Sequence, residues 1–154
     1  MPNSTVPAAA EGLPKDPLAP RGSMSCGIDM AALRKMSMKE LHDIRDVLHT
    51  LAEVISGFCC QPRFSREEEN NYNDAGSALE HIASFLNSYE QAAVNVAVAA
   101  KPIASDDVEW RGWTILGFEA DMADDLAPFA VLAAEAVRDE AEAKFREEHR
   151  RRAG

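Results

Sequence analysis

The 154 residues of this chain can form one domain with a real core but are too few for two comfortable domains. Hydrophobic residues make up 46% of the sequence, which is typical of a globular protein and argues against disorder of the whole chain. The net charge of -10 repels phosphate groups and anionic lipid, so we expect no direct binding to nucleic acid and none to membrane.

Cysteine usage and hydropathy predict a cytoplasmic protein. The three cysteines are Cys26 and the adjacent pair Cys59 and Cys60, which do not form the framework of a secreted disulfide scaffold. Vicinal cysteines do not readily bridge each other, so we interpret the pair as small hydrophobic residues, with a thiol-reactive pair as the alternative. No apolar run approaches the ~20 residues of a membrane span, and the N-terminus lacks the pattern of a signal peptide.

Residues 1–28 are predicted to be a disordered arm, and residues 29–154 a single helical domain. The arm holds five of the eight prolines, which prevent a helix from propagating, and it offers little to bury. Residues 18–24, LAPRGSM, also resemble a protease-site remnant of an expression vector, one residue off the usual form. That interpretation makes Met24 the natural start, and a native flexible arm is the alternative.

The first long helix is predicted to begin at Ser37. Ser37 and Glu40 have the S-x-x-E spacing of a capping box, in which each side chain binds an otherwise unpaired backbone amide. An apolar seam follows in which spacings of three and four alternate, as on the buried side of a packed helix. The seam consists of Leu41, Ile44, Leu48, Leu51, Ile55 and Phe58, with Val47 and Val54 on one flank. Gly57 and Pro62 end this helix near Cys60.

The second long helix carries the most regular pattern in the chain. A second S-x-x-E box at Ser65, followed by three glutamates, predicts that this helix begins near Arg66. Its seam consists of Tyr72, Ala75, Leu79, Ile82, Leu86, Tyr89, Ala93, Val96 and Ala100, with Ala78, Phe85 and Ala92 on the corresponding flank. Pro102 ends the helix. Because the connection is short, we expect the two long helices to pack as an antiparallel hairpin.

The third section is predicted to be helical, with a kink or a break near Pro128. Trp110 and Trp113, near its start, are expected to cover one end of the hairpin. Pro128 interrupts the apolar stripe that follows because it lacks an amide and crowds the preceding turn. Residues 129–152 are rich in strong helix formers, and the three arginines 150–152 lie where the helix dipole favours cations.

One polar stripe of the first long helix has the spacing of metal ligands. It consists of His42, Asp46, His49 and Glu53. Imidazole and carboxylate groups at such spacing can bind zinc or another transition metal. The stripe lies opposite the apolar seam, however, and an exposed single helix rarely completes a coordination shell. We therefore expect a solvated helix face and no cofactor, unless a metal lies at a dimer contact.

Residues 106–125 form an acidic stretch that is a candidate partner-binding surface. Its acidic residues are Asp106, Asp107, Glu109, Glu119, Asp121, Asp124 and Asp125. They could imitate the phosphate row of a nucleic acid and occupy a basic cleft on a protein partner. The alternative is an ordinary solvated surface with acidic groups at helix N-termini.

These patterns predict an all-α fold, in which a kinked third helical section packs across an antiparallel helical hairpin. Dimerisation would complete this three-helix bundle as a homodimer. We expect no enzyme, because no phosphate loop, nucleophile elbow or paired Cys/His or Ser/His context appears. The leading hypothesis is a small cytoplasmic adaptor or regulatory protein that binds proteins through helix–helix contacts. The alternatives are an acidic inhibitor that mimics nucleic acid and a metal-binding helical bundle.

Overall fold

A computed structural model describes residues 27–66, 71–122 and 125–154, and within these ranges the fold is an all-α helical bundle, as predicted. The helices are α1 Met30–Leu33, α2 Met38–Cys59, α3 Asp74–Ala99, α4 Ser105–Met122 and α5 Leu126–Ala153. Residues 1–26 of the predicted disordered arm, including Cys26, lie outside the described residues. Ile28, which was assigned to that arm, packs against the core.

The start of α2 confirms the predicted capping box. The Ser37 hydroxyl accepts a hydrogen bond from the Glu40 amide at 3.2 Å, and the Glu40 carboxylate accepts one from the Ser37 amide at 2.7 Å. The backbone hydrogen bond from Ser37, assisted by its hydroxyl, lowers the pKa of the Glu40 carboxyl. The helix ends at Cys59, shortly before Pro62, as expected.

The predicted start of the second long helix at Arg66 is wrong, because α3 begins eight residues later. Ser65 and Arg66 instead form a short strand, β1 Ser65–Arg66, paired antiparallel with β2 Asn71–Tyr72 after a 3₁₀ turn at Pro62–Phe64. Asn73 caps α3 by accepting a hydrogen bond from the Gly76 amide at 2.9 Å, and its own amide group donates to the Arg63 carbonyl at 2.7 Å. This single side chain ties the helix start to the connecting turn.

Helices α2 and α3 form the predicted antiparallel hairpin. Arg45 near the start of α2 meets Glu90 late in α3, whereas Cys59 at the end of α2 meets Gly76 at the start of α3. At the open end of the hairpin, Leu33 of α1 and Leu41 join a core cluster completed by alanines of α3. The alanines of this cluster are Ala92, Ala93 and Ala97.

The lines of residues that face the partner helix differ from both predicted seams. The buried positions of α2 are Leu41, Arg45, Leu48, Ala52 and Cys59, and those of α3 are Gly76, Ala83, Glu90, Ala92, Ala93, Val94 and Ala97. Leu51, Phe58 and Ile82, which the periodicity placed in the seams, are exposed. The buried line of α3 consists mostly of Gly and Ala, which let the backbone of α3 approach α2 closely, and several bulky residues of both helices lie to one side of the contact.

The third section consists of two helices, as the predicted kink or break allows. The chain leaves the helix after Met122, and Asp125 caps α5 by accepting a hydrogen bond from the Ala127 amide at 2.9 Å. Pro128 therefore lies in the first turn of α5, where its missing amide costs no internal hydrogen bond. Helix α4 packs across both α2 and α3, and α5 packs against α4. Trp113 is 56% exposed, so only Trp110 takes the covering role predicted for both tryptophans.

Gly76 offers a test of the close approach at the loop end of the hairpin. A Cβ atom at this position would collide with the Phe64 carbonyl oxygen and lie 3.0 Å from Tyr72 Cβ. Replacing Gly76 with Ala should therefore lower the free energy of unfolding by about 2 kcal/mol, as measured by urea denaturation.

Gly57→Ala is the matched control, because nothing lies within 4 Å of a Cβ at that helical position. This change should raise the free energy of unfolding by about 0.5–1 kcal/mol, since alanine favours the helix. Equal effects of the two substitutions would contradict the packing described for Gly76.

Candidate functional site

Four polar side chains meet where α4 crosses the hairpin, and we call them the charge cluster. They are Arg45 and His49 of α2, Glu90 of α3 and Asp121 of α4. Arg45 Nε lies 2.9 Å from Glu90 Oε1, and Arg45 Nη2 contacts Asp121 Oδ2. One guanidinium group therefore joins carboxylates from the two helices that pack against α2, so the cluster links all three helices.

The Arg45–Glu90 pair is almost completely removed from solvent. Arg45 is 6% exposed and Glu90 is 2% exposed. Arg45 Nε and Glu90 Oε1 are in ionic contact but make no hydrogen bond, because their approach lies outside hydrogen-bond geometry. Burial of either charge alone would be costly, so each residue requires the other to remain in place.

Gly117 of α4 provides the space for the guanidinium group. A Cβ atom at Gly117 would lie 2.9 Å from Arg45 Nη1 and 3.4 Å from its Cζ. Arg45 therefore lies against the bare backbone of α4, four residues before the contact made by Asp121. A side chain at position 117 would therefore require the guanidinium group of Arg45 to shift.

Three members of the cluster have the spacing of metal ligands. His49 Nδ1 lies 3.6 Å from Glu90 Oε1 and 3.7 Å from Asp121 Oδ2, and the three ligand atoms lie within 4.8 Å of one another. The guanidinium of Arg45 contacts both carboxylates, however, and supplies the positive charge that a cation would otherwise provide. A metal would have to displace Arg45, so the arrangement suits an internal ion pair better than a metal centre.

The predicted metal stripe of α2 is divided by the fold. Asp46 and Glu53 are exposed, whereas His42 and His49 are half-buried beneath α4. His42 packs on Trp110 with ring centroids 5.1 Å apart, and the Lys39 ammonium lies 5.2 Å from the centre of the Trp110 ring. The expectation that this whole stripe is solvated is therefore wrong, because α4 covers one edge of it.

The acidic stretch is spread along α4 and the start of α5. Asp106 and Asp107 lie in the first turn of α4, where the helix dipole favours them. Asp121 contacts Arg45 and Asp125 caps α5, so both have roles within the chain. Glu109 and Glu119 are half-buried, and Asp124 lies outside the described residues. Imitation of nucleic acid by these residues stays a prediction.

The bulky residues displaced from the helix contact form an exposed apolar surface, which we call the hairpin face. Its members are 37–56% exposed. They are Val47, Leu51, Val54 and Phe58 of α2 and Ile82 and Phe85 of α3. Phe85 stacks on Tyr89 with ring centroids 6.1 Å apart, which extends the surface along α3. All six positions carry uncharged side chains, so the centre of this surface is purely apolar.

The hairpin face lies on the side of the hairpin opposite α4. At about 100° per residue, Val47, Leu51 and Val54 lie roughly half a turn around α2 from the residues that contact α4. Those residues are His42, Arg45 and His49. On α3, Ile82 and Phe85 are rotated away from the buried residues in the same sense as the hairpin-face residues of α2. In an antiparallel pair of helices, the same sense of rotation places both groups on one side of the hairpin. The third helix therefore covers the polar side of the hairpin and leaves the apolar side open.

The sequence analysis did not identify Arg45, Glu90 or Gly117 as site residues. The spacing of Arg45 and Glu90 relative to the buried residues of their helices nevertheless indicates that both face the helix contact. Arg45 lies four residues after Leu41 and three before Leu48, and Glu90 lies seven residues from both Ala83 and Ala97. Opposite charges at the same heptad position of two antiparallel helices indicate an ion pair across the contact. Hydropathy alone assigned both charges to the surface.

In comparisons with protein-family models, curated proteins and solved structures, nothing matches the chain. Within the described residues, no helix is both long enough and apolar enough to cross a bilayer.

Glu90→Gln tests the energetic role of the charge cluster. The substitution leaves the buried guanidinium of Arg45 without its most deeply buried counter-charge, so the free energy of unfolding should fall by about 3 kcal/mol. Asp43→Asn is the control, because it breaks an exposed pair in which Lys39 Nζ lies 2.6 Å from Asp43 Oδ2. This control should cost less than about 0.5 kcal/mol in the same denaturation assay.

A double variant separates the ion pair from simple packing. Arg45→Met combined with Glu90→Leu removes both buried charges together. The double variant should therefore lose much less free energy of unfolding than the sum of the losses in the single variants Arg45→Met and Glu90→Leu. Additive losses, or a cost for Glu90→Gln no larger than that for Asp43→Asn, would show that the two charges do not depend on each other.

Proposed function

We propose that this protein is a small helical protein-interaction protein, of the adaptor or regulatory type, that binds helices of a protein partner through the hairpin face. The observation that carries the proposal is the placement of six large apolar side chains, all uncharged, on the side of the hairpin that α4 leaves open. Exposed surfaces of this kind on a folded domain mark sites of association.

The size of the hairpin face fits reversible association. Its six side chains expose on the order of 500 Å², which is the size of the largest apolar patch on a typical monomeric protein, and such patches are often functional. A partner surface of the same size would bring the total buried area to about 1,000 Å², which lies at the low end for specific interfaces and is typical of transient contacts. Such a contact suits reversible, regulatory association.

The shape of the hairpin face indicates how a partner binds. Two antiparallel helices lie side by side, with a row of Val, Leu and Phe side chains on α2 and a second row containing Ile82 and Phe85 on α3. A helix with its own apolar stripe packs into the groove between such rows. We therefore propose helix-to-helix recognition rather than binding of an extended peptide.

We further propose a cytoplasmic location for this activity. Cys59 and Cys60 are both free, and Cys60 is exposed at the end of α2. An exposed free thiol persists in a reducing compartment, which supports the proposal.

Photo-cross-linking in cells of the native host tests the proposed function. A photoreactive phenylalanine analogue in place of Leu51 or Phe85 should give covalent adducts with protein, because both positions lie within the hairpin face. The control position is Val131 of α5, which is apolar and 58% exposed but lies outside this surface. Adduct yield should be several-fold lower at Val131. Equal yields at all three positions, or no protein adduct at Leu51 and Phe85, would contradict the proposal.

A further inference from the structure

We propose that the occupant of the hairpin face is a second copy of this chain, so that α2 and α3 of two copies form a two-fold symmetric four-helix arrangement. This inference rests on the proposed function and names its partner. Three properties of the described residues support it: the charge distribution, the geometry of the apolar rows and the exposed area.

The charge distribution leaves the hairpin face as a place where two acidic copies can meet. The chain carries a net charge of -10, so most approaches of one copy to another are repulsive. The hairpin face spans twelve residues of α2, from Val47 to Phe58, without a charged member on that side. That span corresponds to about 16 Å of helix, which exceeds the screening length of about 8 Å at physiological salt.

The apolar rows have the spacing required for packing against identical helices. Val47, Leu51, Val54 and Phe58 follow spacings of four, three and four, which is the knobs-into-holes pattern of helical bundles. Helices α2 and α3 contain 22 and 26 residues, so each copy presents two long, adjacent helices of similar length. A two-fold axis places the same surface on both sides of the contact, and a self-complementary pattern satisfies it.

The exposed area of the hairpin face fits a second hairpin as the binding partner better than a single helix. The six residues expose on the order of 500 Å², and half-buried neighbours such as Ile44, Leu86 and Tyr89 extend the surface. A stable interface buries about 800 Å² per partner. A lone amphipathic helix covers only the groove between the rows, whereas a second hairpin covers both rows along their length.

Sedimentation equilibrium of the purified full-length protein tests this inference. The wild-type protein should change from the monomer mass of 16.8 kDa to twice that mass as its concentration rises. Leu51→Glu should weaken dimerisation at least about 100-fold, because each dimer would bury two unpaired carboxylates at its centre. Val131→Glu is the matched control and should leave the dissociation constant within about twofold, since α5 lies outside the contact.

A folding control keeps the result interpretable. Leu51 is 46% exposed in the single chain, so Leu51→Glu should keep the helical circular dichroism of the wild type. If that variant fails to fold, Val54→Lys at the neighbouring exposed position provides the same measurement.

Three results would overturn the inference. The first is a wild-type protein that remains a 16.8 kDa monomer at the highest concentration. The second is a dimer that Leu51→Glu leaves intact, and the third is an equal loss in the Val131→Glu control. A monomer in the centrifuge together with cross-links from Leu51 to a different protein in cells would overturn only the second-copy assignment. The proposed function would then stand.

Discussion

The contact of the buried Arg45 side chain with Glu90 and Asp121 is the interaction on which the arrangement of this fold depends. A guanidinium that is 6% exposed must find carboxylates, and Glu90 from α3 meets only part of that need. Asp121 supplies the second carboxylate from α4, and Gly117 supplies the space. The requirement is directional, because it is met only if α4 lies on the side of the hairpin where Arg45 emerges.

This placement of α4 decides which side of the hairpin remains exposed. Burial of apolar area alone would also favour packing of α4 onto the exposed Val47, Leu51 and Phe58. Removal of α4 from the polar side would leave the Arg45 and Glu90 charges short of a partner, and that cost competes with the apolar gain. The contact of α4 with the hairpin therefore contains the ion pairs of Arg45 as well as the buried Val108 and Phe118, and the opposite apolar side of the hairpin remains exposed. Structure and proposed function follow from the same ion pair.

The ends of most helices were predictable from local chemistry. Which side of each helix faces the neighbouring helix was not predictable. The Ser37 box and Pro102 act within one helical turn, so their effect is readable in the sequence. The apolar stripe of α2 is broad, and hydropathy does not say which edge of it faces α3. Small residues of α3 such as Ala83 face α2 because they allow the two helices to approach closely, and the bulky residues therefore face outward.

The S-x-x-E box at Ser65 does not start a helix, because Asn73 caps α3 and binds the connecting turn at the same time. The charge cluster was hidden for a related reason, since a buried ion pair resembles two surface charges until both helices are aligned.

Hydrogen–deuterium exchange measured at low and high protein concentration shows which side of the hairpin becomes covered on association. Peptides covering residues 47–58 of α2 and 78–89 of α3 should exchange more slowly at high concentration, because the hairpin face becomes covered. Peptides of α4 should keep the same exchange rate, since this helix already lies on the opposite side against Arg45. Protection that appears in α4 or α5 instead, with none in the hairpin, would contradict the claim that the ion pair leaves this apolar side open for association.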